Sequence, residues 1–130
     1  MPVTTSYNKN GRFIHHILNG DITGVDIIEA FDNSLAVPDV KPDFHVIWDF
    51  REVHLPNLTD TMNQLKALAG YIKSKERNRS EGYKVALVSG TDLLFGMARM
   101  YQVVASSLPV HFRGFRKFKE AESWILSIAN

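Results

Sequence analysis

The sequence predicts an α/β fold: one domain over residues 1–130, with a mostly parallel central sheet, an antiparallel hairpin on its N-terminal edge and helices packed on both faces. Three observations carry that reading. The segments FHVIWDF (Phe44–Phe50) and YKVALVSG (Tyr83–Gly90) are almost continuously apolar, as strands buried on both faces are. Between and after them run stretches whose apolar residues recur every three or four positions, the period of a helix with one buried side. Near the start, Asn10-Gly11 separates two strand-like runs, which reads as a hairpin turn.

Each element can be justified in order. TTSYNKNGRFIHHIL forms the hairpin, with Asn10-Gly11 supplying residues that tolerate positive φ. Thr23 is the N-cap of a first helix, with Asp26 placed three residues on for a capping box. Ile27, Ile28, Phe31 and Leu35 give that helix its apolar side, and Pro38 and Pro42 punctuate the loop after it. Phe44–Phe50 is a buried strand. Leu58, Met62, Leu65, Ala69 and Ile72 form one stripe, predicting a helix from about Leu58 to Lys75, and KSKERNRSEG is its charged, solvated exit. Tyr83–Val88 is the next strand, and GTDLLFGMARMYQ opens the helix that follows it. PVHFRGF is a further buried strand, and Ala121, Trp124, Ile125 and Ile128 mark a closing helix. The order is β-β-α-β-α-β-α-β-α, with Phe44–Asp49, Tyr83–Val88 and Val110–Phe115 expected as parallel neighbours.

Bulk properties narrow the function classes. With 45% hydrophobic and 22% charged residues the chain is close to a soluble globular average. No apolar run approaches the ~20 residues of a membrane span, so no stable membrane insertion is expected. The formal net charge of +1 supplies no field that would draw the chain to nucleic acid. Cysteine is absent, which excludes disulfides, thiolate metal sites and a cysteine nucleophile, and a cytoplasmic location is expected.

GMARMY (Gly96–Tyr101) and FKEAESWI (Phe118–Ile125), set in this element order, resemble the STAS superfamily, specifically its SpoIIAA-like branch, over about Phe13 to Ile125. The resemblance implies a four-layered arrangement of strands and helices around one sheet and, often, a protein-binding role. Anti-sigma-factor antagonists of that superfamily carry an Asp-Ser-Ser-Gly-type motif after the central strand, and a partner kinase phosphorylates its serine. The matching stretch here is WDFREVHLPNLT. Asp49 matches the aspartate, but Phe50 and Arg51 stand where the hydroxyls belong, and Thr59 and Thr61 lie too far on to be equivalents. The phospho-switch is therefore not carried over.

No catalytic motif or metal site emerges. His15 and His16 are adjacent on a strand and face opposite sides, and the other histidines sit on separate elements, so all read as ordinary surface or hydrogen-bonded side chains. Asp49, Glu52 and His54 lie near one strand end without an identifiable nucleophile. HFRGFRKFK interleaves basic and aromatic residues but is explained by strand alternation. No cofactor is expected. Ligands on parallel sheets meet the carboxyl ends of the strands, which makes Asp49, Arg51, Ser89, Thr91 and Arg116 candidate ligand or anion contacts. Ser89 or Thr91 also suits the N-cap of the following helix, which accounts for VSGTD without a ligand.

The helix after Gly90 has an apolar arc about 160° wide, more than the ~100° that one buried face needs. Leu93, Leu94, Met97, Ala98, Tyr101, Val104, Ala105 and Leu108 fill it. Phe95, Arg99 and Gln102 fall outside the arc, and Gly96 sits in the helix interior at a cost of about 1 kcal/mol relative to alanine. Phe95, Gly96, Arg99 and Gln102 are therefore the candidate partner-binding residues, for a protein partner or for a second copy in a homodimer. The function expected is a non-enzymatic interaction module. The alternative is a carrier or sensor of a small apolar or amphipathic ligand, suggested by Met97, Met100 and Tyr101 on one helix.

Overall fold

The computed structural model describes residues 3–38, 40, 43–54, 63, 67, 70, 71, 83–104, 106 and 110–127. Its elements are β1 (Val3–Asn8), β2 (Phe13–Asp21), α1 (Gly24–Leu35), β3 (His45–His54), β4 (Tyr83–Ser89), α2 (Asp92–Val104), β5 (Val110–Phe115) and α3 (Phe118–Leu126). The helix expected from Leu58 to Lys75 falls almost wholly outside the described residues, where Asn63, Ala67, Gly70 and Tyr71 are helical.

The strands form one five-stranded sheet in the order β1-β2-β3-β4-β5. β1 pairs antiparallel with β2, and β2 through β5 pair parallel with their neighbours, as the apolar runs predict. A strand order that never reverses has a consequence. Right-handed crossovers that always step the same way lay their helices on the same face. The core shows this. Ile27, Ala30 and Phe31 of α1, Ala98 of α2 and the half-buried Tyr71 join Ile14, Leu18, Val46, Trp48, Val85 and Leu87 in one cluster. Among the described helical residues only those of α3, which follows the last strand, reach the other face, where Ala121 and Ile125 pack on Phe13, Ile47, Ala86, Val88 and Phe115. Helices do lie on both faces, but unevenly, and the sheet with its two helical faces makes three layers instead of the four that the resemblance implies.

The local signals hold with two exceptions. Thr23 caps α1 in a full capping box with Asp26. In the hairpin, Asn8 pairs with Phe13, so Lys9–Arg12 make the turn. The positive φ falls on Arg12, at 57°, and not on Asn10 or Gly11. Gly11 is needed for room instead: a Cβ there would lie 2.9 Å from the Phe13 ring. The second exception is β3, which runs on to His54 and not to Phe50. Its pairing with β2 shifts between Ile17 opposite Asp49 and Asn19 opposite Glu52, so β3 carries one extra residue, a bulge. Asp49 accordingly sits within the strand and not at its end.

Candidate functional site

α2 starts where Thr91 accepts the backbone N–H of Leu94 at 3.2 Å through its hydroxyl, so Thr91 and not Ser89 is the cap. Leu94, Ala98 and Tyr101 are buried toward the sheet, Tyr101 edge-on to Phe112 of β5 with ring centroids 5.1 Å apart. The side chains of Leu93, Met97 and Val104 and the residues Ala105 and Leu108, which complete the expected arc, lie outside the described set. The opposite side of α2 is exposed at Gly96, Arg99, Met100, Gln102 and Val103, with Val103 73% accessible.

Phe95, Arg99 and Gln102 line one open groove of about 970 Å³, together with Val103, Phe112, Arg113 and Trp124. Its floor is β5, the last strand of the sheet, with α2 on one side and Trp124 of α3 on the other. The structure therefore brings three of the four candidate docking residues to one concave surface. Phe95 is half-buried and not on a fully wet face, because its ring lies over Gly114: a Cβ on Gly114 would come 3.8 Å from Phe95 Cε1 and 3.3 Å from Ala98. Gly96 stands apart. A Cβ there meets nothing within 4 Å among the described residues, so no packed neighbour calls for a glycine. Gly96→Ala is expected to raise stability by about 1 kcal/mol, the difference in helix propensity. Urea unfolding checks it. A variant no more stable than the parent would show that Gly96 is required by the fold.

The strand-end residues form a different arrangement. Arg116 pairs with the Asp92 carboxylate and reaches the Gly90 carbonyl at 3.5 Å. Gly90 presses on β3, since a Cβ there would sit 2.7 Å from the Arg51 carbonyl oxygen. Ser89 is fully buried, with its hydroxyl unpartnered among the described residues. The Arg51 side chain turns away from this end, back to Asp49 under α3. Both guanidiniums are thus engaged with carboxylates, and the five candidate ligand contacts do not converge on one point.

Asp49 is the hub of a buried polar cluster. Its side chain is 2% exposed and accepts from Arg51 Nε at 2.9 Å, Arg51 Nη2 at 2.6 Å, the Arg51 backbone N–H at 3.2 Å and His15 Nε2 at 3.1 Å. Burial alone would raise its pKa, but the hydrogen bonds from His15 and Arg51 and the Arg51 charge prevail and hold the carboxyl well below the usual range. Phe118 of α3 covers the cluster, 4.7 Å from the His15 ring and 5.3 Å from the Arg51 guanidinium. The bulge explains the chemistry: Asp49 accepts the Arg51 N–H within the stretch where the ladder is interrupted. His15 and His16 do face opposite sides, and His16 is buried against Trp48 with its Nδ1 2.8 Å from the Thr5 hydroxyl. Nothing in the sequence spacing connects His15 to Asp49, whose contact follows from the β2–β3 register. With both carboxylate oxygens of Asp49 committed to neighbours and no nucleophile beside it among the described residues, the cluster works as a structural tie between β2, β3 and α3.

Neither a protein-family model nor a curated protein matches the sequence. Among solved structures, the chain is similar to an uncharacterised protein of the DUF3478 family with a SpoIIAA-like fold from Shewanella loihica PV-4. The two share 17% identity with a TM-score of 0.60, over 95% of this chain and 91% of that one. Topology, register and this similarity agree: the chain has a SpoIIAA-like fold.

Proposed function

We propose that the chain is a non-enzymatic, cytoplasmic interaction module that docks a protein partner in the groove between α2 and β5. The observation that supports it is the concentration of Phe95, Arg99, Gln102 and the exposed Val103 on one concave surface. Aromatic and arginine side chains are the residue types that anchor interfaces, and an exposed valine beside them adds area to be buried. The polar cluster at Asp49 offers no reacting group, and the position of a phosphorylatable serine is held by Phe50 and Arg51. The groove is open along a strand edge. A carrier of a small apolar molecule encloses most of its ligand, so the groove suits a macromolecular partner better.

The test is Phe95→Asp beside the exposed variant Arg99→Glu. Each is expected to weaken partner capture or self-association by about 1 kcal/mol or more, the loss of an interface anchor. Light scattering reads self-association, capture of partner protein on the immobilised chain reads association with another protein, and thermal melting reads the fold. The pairing of variants matters because Phe95 is half-buried: a drop in melting temperature alone would make Phe95 a core residue. Association unchanged in both variants would remove the docking reading.

A further inference from the structure

β5 ends the sheet, and among the described strands nothing pairs with its outer edge. Alternate N–H and C=O groups of Val110–Phe115 therefore point outward along the groove floor. Such an edge is a template for one more strand, and side-chain pockets on both sides make it selective. Here both sides exist. Phe95 and Val103 of α2 flank the edge on one face, and Trp124 of α3 flanks it on the other. The charge is of one sign. Arg99 and Arg113 line the groove, the described lining has no carboxylate, and the connecting residues 105–109 contain none either. Resting on the docking reading above, we propose that the occupant is an acidic, extended segment of another protein that adds to β5 as a sixth strand.

Charge also argues against a second copy in this place. Two β5 strands paired antiparallel would bring Arg113 of one copy close to Arg113 of the other, and like charges across a strand pair oppose association. The other free edge, β1, is VTTSYN, which offers no carboxylate to the arginines. Its pairing with β5 of a neighbour would be a head-to-tail contact, which builds rings or open filaments and not a two-fold dimer. An acidic segment meets both arginines and leaves the main-chain groups of the edge paired.

The probes are short synthetic peptides of alternating aspartate and valine, the matching lysine–valine peptide, and the aspartate–valine peptide N-methylated at every residue. Nuclear magnetic resonance titration to millimolar concentration reads binding, and amide hydrogen exchange reads β5. The acidic peptide is expected to bind and to slow exchange at those β5 amides that do not bond to β4. Binding should weaken about tenfold or more with the lysine peptide, with the N-methylated peptide and with Arg113→Glu, and it should fall as salt rises. Binding of the acidic peptide without β5 protection, and unaffected by N-methylation, overturns strand addition while leaving a docking groove in place. No binding of the acidic peptide, or equal binding of the lysine peptide, overturns the acidic occupant. Protection of the same amides by dimerisation of the peptide-free protein makes the occupant a second copy and overturns the proposal. Loss of the docking reading itself shows separately, in the Phe95 and Arg99 variants.

Discussion

Lys84→Ala is expected to lower the stability of the chain by about 3 kcal/mol, whereas Lys84→Met should cost roughly 1 kcal/mol. Lys84 lies on β4, in a strand buried along its whole length, and is itself 2% exposed. Its side chain points to the α3 face. The ammonium donates to the Trp124 carbonyl at 2.8 Å, the Ser127 carbonyl at 2.8 Å and the Ser127 hydroxyl at 2.9 Å. These are groups of the last turn of α3 and the residue after it, where carbonyls lack helical partners and a cation is favoured. Trp124 also offers its ring face, with Nζ 5.4 Å from the centroid. Against these contacts stands the cost of taking an ammonium out of water, and burial pushes its pKa below the ordinary lysine value. Alanine loses the hydrogen bonds and leaves a cavity, while the isosteric methionine keeps the packing and escapes the desolvation cost. Urea unfolding of the pair separates the two contributions. If methionine is as damaging as alanine, the ammonium itself ties α3 to the sheet. If both match the parent, the hydrogen bonds contribute nothing net.

Lys84 also shows what the sequence could and could not convey. YKVALVSG reads correctly as a buried strand because five of its residues are apolar and fit a pleat buried on both faces, and the same logic placed β3 and β5 beside it. A lysine in such a run signals a buried partner, but nothing in the spacing says that the partner is the end of a helix forty residues on in the chain. The hairpin was legible from Asn10-Gly11, although the positive φ falls on Arg12 and Gly11 serves by its lack of a side chain. The apolar run that marks β3 stops at Phe50, whereas the strand continues to His54 past a bulge at which the Asp49 carboxylate takes the Arg51 N–H. In the candidate groove, a helical wheel was enough to separate Phe95, Arg99 and Gln102 from the buried arc. That their neighbour would be a free strand edge depends on sheet order, which a helical wheel does not contain. That the described helical residues before β5 share one face of the sheet is equally invisible until one sees that the order never reverses.

Asp49→Ala should cost about 3 kcal/mol at neutral pH, and the penalty should shrink on acidification. The carboxylate accepts four N–H groups, of which the Arg51 backbone N–H and His15 Nε2 are the least able to find water when it is removed. Leaving a buried donor without a partner costs about 1–3 kcal/mol. The Arg51 guanidinium is 44% exposed, so its share is discounted because it can return to solvent. The sign of the pH effect follows from the carboxyl being held below its usual range in the folded chain. Between that depressed value and the unfolded value of about 3.9, the unfolded chain binds the extra proton, so stability falls as pH falls. The contribution is complete above about pH 5 and is lost progressively below it. Asp49→Asn, which cannot titrate, should show a flatter profile over the same range and should keep one acceptor for the Arg51 N–H. Urea midpoints of parent, alanine and asparagine variants at neutral and acid pH supply the comparison. The cluster carries the tie between β2, β3 and α3 if the parent alone loses its advantage in acid. Parallel profiles for parent and asparagine variant would show that the carboxylate charge stabilises nothing, and that neutral hydrogen bonding at the bulge is sufficient.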